Sequence, residues 1–262
     1  MKNGKYKKKE VINRKLLIVD NLKVDKIFIN CYNCRMENIA FSLLKDEKYA
    51  EKFEKFKNLL IERNKEYNLT AICDEKEIFI KHFYDSILPE SCIEQGAKVV
   101  EIGSGGGFPS IPLKIVRDDL KFTLIESTGK KCNFLNEVVD KLNLNCVQVL
   151  NIRAEDGAKD KSLREKFDVC TARAVARLNT LCEYCLPYIK VGGRFFAYKG
   201  DAGEELEEAA KAIKILGGEV ENVLKFDLPE NYGKRAVIII KKVCATPKIY
   251  PRGRGLERKK PL

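Results

Sequence analysis

The run Val99-Val-Glu-Ile-Gly-Ser-Gly-Gly-Gly-Phe-Pro-Ser-Ile-Pro-Leu113 does most to limit what this chain can fold into. Its first four residues read as a short buried strand, the glycines at 103, 105, 106 and 107 as a turn, and the rest as the start of a helix. Backbone without side chains can approach a nucleotide closely, so a glycine-rich strand-to-helix turn is a candidate cofactor loop as well as a connection. The dinucleotide pattern G-x-G-x-x-G needs glycine at 108, where Phe108 stands. The pattern present is E-x-G-x-G-x-G. A carboxylate two residues before the first glycine repels a pyrophosphate and suits the ammonium and sulfonium charges of S-adenosylmethionine. Some 23 residues after Gly103, the strand-like run Phe122-Thr-Leu-Ile-Glu126 ends in a second acid. That is close to the offset at which a carboxylate holds ribose hydroxyls, a feature that serves NAD equally well.

The 262 residues are 45% apolar and 33% charged, enough for one large α/β domain or two smaller ones with a sizeable core. No uncharged apolar run is long enough to span a bilayer, and the basic start lacks the apolar core of a signal peptide, so a cytoplasmic protein with reduced thiols is expected. Two C-x-x-C pairs, Cys31/Cys34 and Cys182/Cys185, lie about 150 residues apart, too far for an ordinary four-thiolate zinc site, and no metal is expected. The net charge of +11 resides in the two ends: +6 in residues 1–15 and +5 in residues 248–262, with the 232 residues between them neutral. Basic arms neutralise phosphates and release counterions, which makes nucleic acid a natural partner.

Residues 1–35 show no clear periodicity, and Met36 is expected to open the functional protein. From about 47 to 67, Phe53, Phe56, Leu59, Leu60 and Asn64 recur at helical spacing, predicting an amphipathic helix. From 98 onward, strands are predicted near 98–102, 121–126, 146–151, 167–172, 194–199, 223–227 and 235–242. Helices are predicted near 109–117, 128–142, 175–189 and 204–216. Such alternation gives right-handed crossovers and a mostly parallel sheet. The last two strands, joined by a loop containing Pro229 and Gly233, should form an antiparallel pair at one edge. The expected layout is a basic extension (1–35), an N-terminal helical subdomain (36–97), a Rossmann-like class I methyltransferase domain (98–247) built on a seven-stranded sheet, and a basic tail (248–262). In that topology ligands lie at the carboxyl ends of the strands.

An ordered set of motifs carries a specific resemblance. N-L-T-A-I at 68–72, K-H-F-Y-D-S at 81–86, E-I-G-S-G-G-G-F-P-S-I-P-L at 101–113, I-E-S at 125–127 with Lys131, R-A-E at 153–155, A-R-A-V-A at 172–176, A-Y-K-G at 197–200 and Y-P-R at 250–252 resemble the glucose-inhibited division protein B family. The likeness covers residues 36–262 almost continuously. It implies a bacterial small-subunit ribosomal RNA methyltransferase that modifies N7 of one guanine, with S-adenosylmethionine as donor. It carries donor contacts to Gly103, Phe108, Ala154, Glu155 and Arg173, to which the strand-end reading adds Glu101, Gly105, Gly107 and Glu126. The family more often has Asp at position 101 and Gly at position 110, where this chain has Glu101 and Ser110.

Guanine N7 has a lone pair and no proton to lose, so no catalytic base is expected and alignment should supply most of the rate. For RNA, the basic residues near the strand ends are candidates: Lys81, His82, Lys199, Arg235 and Arg252, with the tail. Removing residues 252–262 should then weaken RNA binding and spare donor binding. A monomer is expected. Two other classes stay open: an NAD(P)-linked reductase, disfavoured by Glu101 and Phe108, and a non-catalytic RNA-binding assembly factor, disfavoured by the intact glycine loop. Fold alone also admits a small-molecule or protein methyltransferase.

Overall fold

The computed structural model describes residues 26–200 and 203–262. The basic run at 1–15 and the apolar run Leu16–Val19 lie outside the described residues, as do the side chains of Cys31 and Cys34. Seven strands, β1 (Lys98–Ile102), β2 (Lys121–Glu126), β3 (Val147–Asn151), β4 (Phe167–Arg173), β5 (Ile189–Lys199), β6 (Gly218–Asp227) and β7 (Lys234–Lys242), form one sheet in the order β3-β2-β1-β4-β5-β7-β6. Strands β1 to β5 pair in parallel, and β7 runs antiparallel to both neighbours. This is the class I methyltransferase arrangement. The crossover from β5 leaves room for one strand before β6, and the short loop after β6 turns β7 back into that gap.

Both faces of the sheet are covered, so the central strands read as continuous apolar runs. Alternation divides them: Val99, Phe122 and Leu124 face one core, and Val100, Ile102 and Ile125 face the other. The first core is closed by helices α1 (Lys26–Lys45), α2 (Glu47–Tyr67), α3 (Ser110–Val116) and α4 (Gly129–Lys141), which contribute Met36, Phe56, Ile111 and Phe134. Helices α5 (Ala154–Gly157), α6 (Leu178–Cys185) and α7 (Gly203–Ile215) flank the second, with the short C-terminal helix α8 (Leu256–Lys259) against α6.

Helix α2 starts where the Asp46 carboxylate accepts the Lys48 N–H at 2.9 Å. It ends at Asn68, whose left-handed backbone stops it. Asn64 is not a member of the apolar stripe. Its side chain accepts the N–H groups of Leu69 and Thr70 at 2.7 and 2.9 Å and donates to the Thr70 carbonyl at 2.9 Å, folding N-L-T back across the helix end. The helix expected over 175–189 covers only Leu178–Cys185, because Pro187 converts its end into a 3-10 turn, and β5 begins at Ile189 rather than 194.

Candidate functional site

The chain runs from β1 outward to β3 and then returns to β4 on the other side of β1, which opens a crevice at the carboxyl ends of the strands. The glycine loop sits there. The Gly103 and Ser104 N–H groups both donate to the Ile125 carbonyl (2.8 and 3.2 Å), tying the loop to β2. Gly103 has φ +70°, and a Cβ there would lie 2.7 Å from a Val175 methyl, so conformation and space both require glycine. Glu126 anchors the other side. Its carboxylate accepts from Gly105 N–H at 3.0 Å and Thr128 N–H at 2.8 Å, while its own carbonyl accepts from Asn151 at 3.0 Å.

Glu101 lies beneath this loop, fully buried, with both carboxylate oxygens unpartnered. Burial pushes its pKa up to about 7; Ser110, Ser104 and the Arg173 guanidinium oppose that rise. The Ser110 and Ser104 hydroxyls lie close enough to steady its ionised form, and the buried Thr171 hydroxyl, unpartnered among the described residues, neighbours Glu101 across the β1/β4 pairing. A buried carboxyl group with no salt-bridge partner of its own is chemically suited to a bound ammonium.

Above the loop lies an open hollow of about 700 Å³, walled by Gly103, Ile125, Ser127, Ala154, Glu155 and Tyr184 among others. Of the donor contacts expected from the sequence, Gly103, Ala154 and Glu155 line it. Glu101, Gly105, Gly107, Phe108, Glu126 and Arg173 do not.

Phe108 is almost fully buried. Its ring stacks on His82 at 4.2 Å between centroids and lies 5.0 Å from the Arg173 guanidinium. Arg173 donates to His82 Nδ1 at 2.7 Å, to the Lys81 carbonyl at 3.0 Å and to Asp85 Oδ2 at 2.9 Å. An arginine cannot accept, so His82 Nδ1 is unprotonated and its Nε2–H donates to the Thr70 hydroxyl at 2.8 Å. Burial, reinforced by the Arg173 charge, lowers the His82 pKa to about 3. His82 is therefore a neutral, buried buttress and not a basic RNA contact. Asp85, which the sequence reading missed, also pairs with Arg235 at 3.3 Å. Its signal was available only as an acid inside K-H-F-Y-D-S.

The other expected RNA cations are similarly engaged. Lys81 pairs with Glu77 at 2.8 Å and stands over the Tyr232 ring. Lys199 donates to the Ala176 carbonyl at 2.7 Å and pairs with Glu205 at 2.6 Å. Arg252 forms a two-armed pair with Glu183, which is 1% exposed. Arg254, Gly255 and Arg258 join the wall of the hollow, so the tail is part of the crevice and not a separate arm. Residues 252–262, expected to serve RNA binding alone, thus also border the hollow.

Residues 49–234 match the family model described as rRNA small subunit methyltransferase G, GidB. The chain belongs to that family. A relative from Acetivibrio thermocellus, named ribosomal RNA small subunit methyltransferase G, is 46% identical over 85% of this chain and 93% of its own length. Family members of the same name from Brevibacillus brevis and Clostridium novyi are 49% and 44% identical, covering 82% and 91% of this chain and 92% and 98% of theirs. This is the family that the motifs resemble, one of S-adenosylmethionine-dependent methyltransferases.

Proposed function

We propose that the protein transfers the methyl group of S-adenosylmethionine to N7 of a guanine in small-subunit ribosomal RNA, acting as a monomer in the cytoplasm. The observation that carries this is the open hollow over the glycine loop with, below it, a buried carboxyl group that has no salt-bridge partner, in a chain of this family. Among the described residues no helix is long and apolar enough to cross a membrane.

Bound S-adenosylmethionine would supply an electrophilic methyl group, which the purine lone pair would take as the carbon–sulfur bond breaks and the neutral thioether leaves. The protein's part is to hold and align. Gly103, Ala154 and Glu155 offer the wall, and Glu101 the negative potential below it. Glu126 holds Gly105 in place, and Gly107 completes the turn. Phe108, clamped between His82 and Arg173, sets the far side of the loop. Because N7 has no proton to lose, His82 need not act as a base, and with both ring nitrogens hydrogen-bonded it is not free to do so. Methyl transfer moves positive charge onto the purine, where Glu155 and Asp156 at the wall favour it.

The test is incubation of the protein with methyl-labelled donor and small ribosomal subunits lacking the modification, followed by mapping of the labelled base. Label at one guanine N7 supports the reading. Label on another atom or on protein, or none with donor bound, refutes it.

A further inference from the structure

Since Lys81, Lys199, Arg235 and Arg252 are all ion-paired within the protein, phosphate neutralisation falls to other cations. Most described arginines are held by carboxylates, and Arg164 gives its N–H groups to backbone carbonyls, including those of Thr246 and Tyr250 at 2.9 Å. Among the described residues, Arg35, Arg153, Arg254 and Arg258 have neither kind of partner. All but Arg35 line the same hollow, and all three of those are exposed.

Two distant segments bring them together. Arg153 precedes α5 at the end of β3. Arg254 and Arg258 come from the C-terminal segment, which is held at two points, Arg252 on Glu183 and the Thr180 hydroxyl donating to the Glu257 carbonyl at 2.9 Å, and is closed on itself by the Gly253 N–H donating to the Glu257 carboxylate. Gly253, Arg254 and Gly255 have φ of +79°, +57° and +75°. The arginine thus sits in a backbone conformation that non-glycine residues seldom take, imposed by the anchors around it.

The electrostatics point to an anion. Three unpaired guanidinium groups around a hollow whose proposed occupant is a sulfonium raise its energy unless a negative group arrives to neutralise them. Glu155 and Asp156 on the same wall form no ion pair with any of the three. A guanidinium fork matches phosphate oxygens in pairs, and these three exposed forks hold no carboxylate that a phosphate would have to displace, Arg258 meeting only the Tyr184 hydroxyl. We propose that Arg153, Arg254 and Arg258 grip backbone phosphates of the ribosomal RNA at the mouth of the donor hollow, so that substrate docking supplies the charge that the rim lacks. This rests on the methyltransferase reading above.

The experiment compares wild type, the triple variant Arg153→Gln/Arg254→Gln/Arg258→Gln, and Arg35→Gln as a control. Binding to unmodified small subunits is measured from about 50 to 200 mM salt, the range over which phosphate contacts dominate, and S-adenosylmethionine binding is measured by calorimetry. The triple variant should bind subunits at least tenfold more weakly and raise KM with kcat nearly unchanged. The slope of log affinity against log salt should be shallower by about 2–3, the release expected for three phosphates at about 0.7–0.9 each. Its donor affinity, and both affinities of Arg35→Gln, should match wild type. Loss of donor affinity with an unchanged salt slope would overturn the proposal and give these arginines to the donor. An unchanged slope with donor binding intact would also overturn it. If wild type itself binds no donor, the methyltransferase reading fails and this proposal with it.

Discussion

Glu101→Gln should make the donor-free protein more stable above neutral pH while weakening donor binding. The ordinary carboxylate pKa of 4.5 is pushed up to about 7 by burial in the folded state. Between those values the folded protein binds a proton that the unfolded chain releases, so wild type loses stability as pH rises through that window. At about 1.4 kcal/mol per tenfold change in proton affinity, the loss reaches an upper bound of about 3 kcal/mol by pH 8. Glutamine resembles the protonated acid and does not titrate, so the variant keeps what wild type loses. His82 pulls the other way, since its pKa is lowered from 6.5 to about 3 and its stability contribution falls as pH drops through that range. That term is common to both proteins and cancels in their difference. Urea or thermal unfolding at pH 5 and pH 8 provides the assay. The two proteins should be close at pH 5 and separate by up to about 3 kcal/mol at pH 8, which for a chain of this size is a shift of roughly 6–12 °C. S-adenosylmethionine affinity, measured alongside, should rise with pH through about 7 in wild type only. A variant less stable than wild type at pH 8, or one that binds donor equally well, would refute the account of an uncompensated carboxyl under the loop.

Gly103→Ala should abolish donor binding and cost on the order of 1–3 kcal/mol from backbone strain and contact with Val175; adding Val175→Ala should relieve only the contact, as unfolding curves of the pair would show. His82→Phe keeps a ring against Phe108 but removes the acceptor for Arg173 and the donor to Thr70, for an expected loss of about 1–3 kcal/mol. The wild-type pH–rate profile should show no histidine limb near pH 6.5, the ordinary value from which His82 is displaced. Arg252→Ala leaves the Glu183 carboxylate buried and unpaired, which should cost about 3 kcal/mol and release Arg254 and Arg258 from the hollow. Removing residues 252–262 should lower donor and RNA affinity together, measured by calorimetry and subunit binding.

The strands were legible because burial on both faces makes them apolar and glycine marks their ends; β1, β2 and β4 lie within a residue of their expected bounds. The glycine loop was legible for a local reason too, since Gly103 needs both a left-handed backbone and an absent side chain. The supporting network was not. Arg173 meets His82 across 91 residues, and Arg235 meets Asp85 across 150, pairings that leave no mark on local spacing. For the same reason position alone could not distinguish a basic residue turned outward from one bound inside. Lys199 ends β5 beside the crevice as expected, yet its ammonium faces Glu205 and a carbonyl. Arg254 reaches the hollow only because Arg252 is fastened to Glu183, 69 residues away.

Asp85 answers to guanidinium groups from β4 and β7, the strands on either side of β5. That sharing makes the joint between the N-terminal helices and the sheet lopsided in its tolerance of change. Lose either arginine and the acid still has a counterion; lose the acid and two partly buried cations are left without the carboxylate they share. Random substitution should therefore spare function far more often at Arg235 than at Asp85.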